Sequence, residues 1–91
     1  MIKIRVFSAT WCPGCLITER RLEKIQAKNN VTVEKYDYDL NKDAFEEYEI
    51  GNKIPTFLFE KDGKIFNKVI GEKTEKELQK IINTILGDIN E

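Results

Sequence analysis

Cys12 and Cys15 are the two cysteines of a 91-residue chain, separated by Pro13 and Gly14. Thiols at that spacing can close into a small disulfide ring and reopen, so the chemistry on offer is reversible two-electron exchange. A structural bridge is a poor use of them, because a loop this short restrains little of the unfolded chain. Zinc takes four ligands, and the sequence has no histidine and no further cysteine to add to these two. A zinc site shared between two chains stays open. Pro13 suits the first helical position, where its missing N–H is no loss. Cys12 is then the N-cap and Cys15 the third helical residue. The first N–H groups of a helix lack backbone partners and carry partial positive charge. A thiolate at Cys12 sits on that positive end, so its pKa is expected to fall below that of a free thiol. Cys12 is thus the expected nucleophile. Trp11, at the corner that precedes it, reads as a wall of the site rather than core.

The elements that must position this pair follow from periodicity. Residues 3–8 alternate as a strand, with Ile4 and Val6 on one face and Arg5 and Phe7 on the other. The motif helix runs to about Asn29, with Cys15, Thr18, Leu22 and Ile25 on its core stripe and Glu19, Arg20, Arg21, Glu23, Lys24 and Lys28 on its solvated side. Leu16 and Ile17 lie off the stripe, either packed on a neighbouring helix or forming an apolar rim for a partner. Residues 31–38 form a second strand, in which Val31, Val33 and Lys35 share a face. A short helix follows, capped by Asp39 or Asn41, with Phe45 and Tyr48 inward and Glu46, Glu47 and Glu49 solvated. The third strand covers residues 54–60 and is headed by Pro55, one of the few strand positions that tolerates proline. Asp62-Gly63 marks a type I′ hairpin into a fourth strand, residues 65–70. Thr74 to Glu77 reads as a capping box. The last helix carries Leu78, Ile81, Ile82, Ile85 and Leu86 on its core stripe, stops at Gly87 and leaves a frayed end. The order β-α-β-α-β-β-α calls for an α/β fold: a four-stranded mixed sheet with helices on both faces, in a single domain, residues 1–91.

Composition narrows the setting. A net charge of -1 gives no long-range attraction to nucleic acid or anionic membrane. No apolar run is long enough to span a bilayer. The alternating, charge-interrupted start is unlike a secretory leader, so a cytoplasmic home is expected, where a dithiol is more often catalytic or metal-binding than structural. No nucleotide-binding fingerprint is present, so no flavin, nicotinamide or other cofactor is expected, and an oxidised dithiol needs an outside reductant.

Three features make the chain resemble the thioredoxin-fold proteins across nearly its whole length: Trp11-Cys12-Pro13-Gly14-Cys15 after the first strand, Ile54-Pro55-Thr56, and the hairpin from Phe57 through Lys64 to Val69-Ile70-Gly71. It is similar to the short form that lacks thioredoxin's extra first strand and helix. The resemblance implies that Cys12 is the exposed nucleophile and Cys15 the buried resolving thiol. It implies a cis Pro55 packed against the disulfide and a substrate segment pairing with the backbone of Ile54, beside Pro13, Gly14 and Thr56. Three departures stand out. Proline directly after the first cysteine is the glutaredoxin habit. The buried first-strand acid of thioredoxins falls on Val6, so the strand lysine matched by Lys35 loses its acidic partner and Cys15 has no internal carboxylate to take its proton. The Gly-Gly and Asp of the glutaredoxin glutathione cradle are replaced by Gly71-Glu72-Lys73-Thr74.

The resemblance therefore implies a monomeric protein-disulfide reductase acting on disulfide-containing proteins and recharged by a thioredoxin-reductase-type flavoprotein. The alternatives are a glutathione-dependent glutaredoxin-like reductase and a redox-sensing or metal-shuttling module built on the same dithiol. Lys53 is read as a solvated loop charge near the site, or as a partner for a substrate carboxylate.

Overall fold

The computed structural model describes residues 2–87; the expected fraying of the last few residues lies outside this range. Seven elements follow in the expected order: β1 (Ile2–Ser8), α1 (Pro13–Lys28), β2 (Val31–Asp37), α2 (Lys42–Glu47), β3 (Thr56–Lys61), β4 (Lys64–Ile70) and α3 (Glu75–Ile85). The strands lie in the order β2-β1-β3-β4. β1 runs parallel to β2, which forces the α1 crossover, and antiparallel to β3, and β3 to β4.

Alternation along the central strands divides the core. Ile2, Ile4 and Val6 of β1 and Phe57 and Phe59 of β3 face α1 and α3, meeting Leu22, Ile25, Leu78, Ile82 and Ile85. On the opposite face Phe7 and Leu58 meet Phe45 of α2 and Ile50. Phe7 stacks on Tyr36 with ring centroids 4.9 Å apart and meets Phe45 edge-on. Beside this cluster polar side chains take over, with the Arg5 guanidinium 5.3 Å from the centroid of the Tyr48 ring at the end of α2. Arg5 donates to Glu34 of β2 at 3.0 Å, to Glu60 of β3 at 2.9 Å and to the Tyr36 hydroxyl at 2.6 Å. Partial desolvation weakens the Arg5 charge, but the hydrogen bonds to Glu60 and Tyr36 more than offset it and hold the guanidinium protonated.

The turn chemistry matches the sequence. Asp62 and Gly63 both have positive φ, 54° and 79°, as a type I′ turn requires. Thr74 and Glu77 form the reciprocal capping box. Four expectations are corrected. Leu86 belongs to the C-cap turn of α3, where the helical periodicity ends, and is 48% exposed rather than core. β2 stops one residue short of Tyr38. β3 begins at Thr56, because Ile54 and Pro55 turn into the sheet rather than pair in it. Asn41 is the N-cap of α2 but makes no capping bond through its side chain; that side chain instead accepts from the Asp37 N–H.

Candidate active site

The motif, the turn before β3 and the loops after β2 and β4 all gather at one end of the sheet. β1 ends at Ser8, and its Phe7 lies opposite Thr56 of β3. The chain leaving β1 toward Cys12 therefore runs beside the Ile54-Pro55-Thr56 turn. The Ile54–Pro55 bond is cis. Thr56 is buried and donates its hydroxyl to the Lys53 carbonyl. The Pro55 carbonyl accepts from the Gly71 N–H at 2.8 Å, tying this turn to the end of β4. The exposed Lys53 side chain stays at the loop surface, as a solvated charge should.

Cys12 has extended backbone angles and caps α1. Its carbonyl accepts from Leu16 N–H at 3.2 Å, and its Sγ accepts from Cys15 N–H at 3.3 Å. Pro13 is the first helical residue, as its fixed φ suits. Cys12 is half-buried and Cys15 is 0% exposed; both are free thiols. Burial pushes the Cys15 thiol up to about 12. The hydrogen bond with Cys12 adds to this, the Ala9 backbone N–H opposes it, and the charges of Cys12 and Glu19 add further. One thiol is thus offered at a helix N-terminus and the other is held protonated beneath it. This asymmetry is what a nucleophile and a resolving thiol need.

Trp11 is 60% exposed, a wall and not core. Its indole N–H donates to Asp39 Oδ2 at 2.9 Å and its ring meets Tyr38 edge-on at 5.7 Å. Asp39 therefore serves the site rather than capping α2. Across the motif, a Cβ on Gly14 would meet Glu72 Oε1 at 3.5 Å, so the loop after β4 lies against the helix start. Arg21 pins that loop through Glu72 at 3.2 Å and the Lys73 carbonyl at 2.8 Å. Leu16 and Ile17, with Ile70 at the end of β4, stay substantially exposed. Leu16 and Ile17 are therefore not packed on a neighbouring helix.

Glu19 is the residue that sequence reasoning missed. Its carboxylate accepts from Ser8 Oγ at 2.8 Å and lies 3.6 Å from Lys35 Nζ. Lys35 thus does have an acidic partner, supplied by α1 and not by β1. The four-residue spacing from Cys15 was the available signal, because residues i and i+4 of a helix lie side by side.

A mixed four-stranded sheet whose first crossover helix is capped by one cysteine and buries another, opposite a cis proline, defines the thioredoxin fold. The thioredoxin family model matches residues 3–84, and the chain belongs to that family. It is 37% identical over 83 residues to a mitochondrial thioredoxin of Bos taurus, covering 89% of this chain and 49% of that one. The chain thus spans about half the length of that relative. A bifunctional thioredoxin reductase/thioredoxin of Mycobacterium leprae is 29% identical over 86 residues, which are 92% of this chain and 19% of that protein. The structure of Fasciola hepatica thioredoxin superposes with a TM-score of 0.83 at 30% identity, covering 91% of this chain and 79% of that one.

Proposed function

We propose that this chain reduces disulfides in protein substrates. The Cys12 thiolate attacks a substrate disulfide and forms a mixed disulfide. Cys15 then attacks the Cys12 sulfur, which releases the reduced substrate and leaves a Cys12–Cys15 disulfide. The observation that carries this reading is the contrast between the two thiols, one capping the helix and the other fully buried and held protonated. Trp11, Leu16, Ile17 and Ile70 supply an apolar surface around Cys12 on which an extended segment can dock, with Pro13 and Gly14 beneath it and the Ile54-Pro55-Thr56 turn alongside. A cytoplasmic monomer is the working assignment, since in the cytosol a dithiol is more often catalytic than structural.

The reductant we favour is a thioredoxin-reductase-type flavoprotein, since a relative carries a reductase and a thioredoxin in one chain. Glutathione fits less well. Where the glutathione cradle of a glutaredoxin has a Gly-Gly and an Asp, this chain has Gly71-Glu72-Lys73-Thr74, with Glu72 engaged by Arg21 at 3.2 Å. The test is turnover of a protein disulfide with each donor in turn. Rapid turnover with the flavoprotein and slow turnover with glutathione is expected. Efficient turnover with glutathione alone would reassign the chain to the glutaredoxin-like reading. No turnover with either would leave a redox-sensing or metal-shuttling module.

A further inference from the structure

Cys15 cannot attack as a thiol; its proton must leave a buried site. Val6, the β1 residue on this side of the sheet nearest the motif apart from Ser8, is apolar and fully buried. The carboxylate in reach comes from α1 itself. Glu19 stands one turn beyond Cys15, where neighbouring Cβ atoms are about 5–6 Å apart. Helical side chains lean toward the N-terminus, so Glu19 covers the turn that holds Cys15. Two groups at the C-terminal ends of β1 and β2 hold its carboxylate in place: the Ser8 hydroxyl at 2.8 Å and the Lys35 ammonium at 3.6 Å. Glu19, Ser8, Lys35 and Ala9 line one cleft of ≈ 200 Å³. The cleft therefore opens onto the Glu19 carboxylate, one helical turn from Cys15. Tyr36 and Asp37 of β2 are the other titratable groups on its wall.

We infer that Glu19 is the base that takes the Cys15 proton during resolution of the mixed disulfide, a role that rests on the dithiol reduction proposed above. The Cys15 S–H proton passes to the Glu19 carboxylate, directly or across one water molecule. The freed electron pair on Cys15 attacks Cys12 Sγ, and the bond between Cys12 and the substrate sulfur breaks. The departing substrate thiolate takes up a proton, which Glu19 returns through the cleft. Substrate gains two electrons and the Cys12–Cys15 pair loses them, so Glu19 is regenerated.

The test is stopped-flow reaction of the reduced protein with Ellman's reagent. Attack by Cys12 releases one thionitrobenzoate, and resolution by Cys15 releases the second. Glu19→Gln keeps an oxygen for the Ser8 hydroxyl and removes the base. The first release is expected to be unchanged, and the second to slow by about 10-fold or more near neutral pH, a conservative share of the usual general-base contribution. The deficit should shrink as pH rises and hydroxide replaces the carboxylate, and Glu19→Asp should recover part of the rate. A neighbour that acts by charge alone predicts the opposite sign, because the Glu19 charge raises the Cys15 thiol and its removal would speed the second release. An unchanged or faster second release in Glu19→Gln overturns the proposal. The reagent needs no protein substrate. A slowed second release without turnover of any protein disulfide would therefore reject the functional reading and leave the Glu19 assignment standing.

Discussion

The difference between the two thiols can be read directly by alkylation. The perturbation is a limiting dose of iodoacetamide at pH 7, followed by quantification of each modified cysteine. A thiol ionising at its ordinary value of 9.0 is about 1% thiolate at pH 7. Cys15, pushed up to about 12, is thiolate in about one molecule in 10⁵. Ionisation alone therefore slows its labelling about 1,000-fold relative to the same cysteine in urea, since the thiolate is the reactive form. Its full burial adds the requirement for a local opening, so the folded-state rate should lie below that figure. Cys12, half-buried at the helix start, has no such barrier to the reagent. Labelling of Cys15 should climb about tenfold per pH unit until the thiol itself titrates. Cys12→Ser should abolish disulfide reduction, whereas Cys15→Ser should trap mixed disulfides. Equal labelling of the two cysteines at pH 7, or a Cys15 rate within tenfold of its rate in urea, would refute both the burial of Cys15 and the roles built on it.

Three further outcomes are expected. Val6→Asp puts a carboxyl among the residues packed under α1 and α3, so it loses a fully buried valine and adds a buried polar group. Urea denaturation should show a loss of about 3–5 kcal/mol, and an unchanged midpoint would mean that position 6 faces solvent. Thr74→Ala removes the reciprocal cap of α3 and should lower stability by about 0.5–2 kcal/mol in the same assay, with no effect on either phase of the thiol reaction. Because the Cys15 thiol is raised in the folded chain, its contribution to stability is fully present below pH 9.0 and is lost as pH rises toward about 12. Over that window the reduced protein should lose stability at about 1.4 kcal/mol per pH unit beyond what Cys15→Ala loses, and parallel curves for the two would contradict the raised value.

Much of this protein is legible along the chain because the deciding forces are local. Pro13 settles where α1 starts, and that places Cys12 at the cap and Cys15 on the buried stripe with Thr18, Leu22 and Ile25. Asp62-Gly63 sets the hairpin through positive φ, and Thr74 and Glu77 set the start of α3, each within four residues. Period-two alternation assigned Ile4 and Val6 to one core and Phe7 to the other. What the sequence could not decide depends on residues that meet only after the sheet assembles. Glu19 reads as a solvated helical charge until β1 brings Ser8 and β2 brings Lys35 beneath it. Asp39 reads as a cap until Trp11 arrives from the neighbouring loop. Arg5 becomes a cross-strand clamp because the β2-β1-β3 order sets Glu34 and Glu60 on its two sides. The dithiol is a local property of five consecutive residues, whereas Pro55, Asp39 and the Ser8 and Lys35 that hold Glu19 come together around it from separate strands and loops only through the fold.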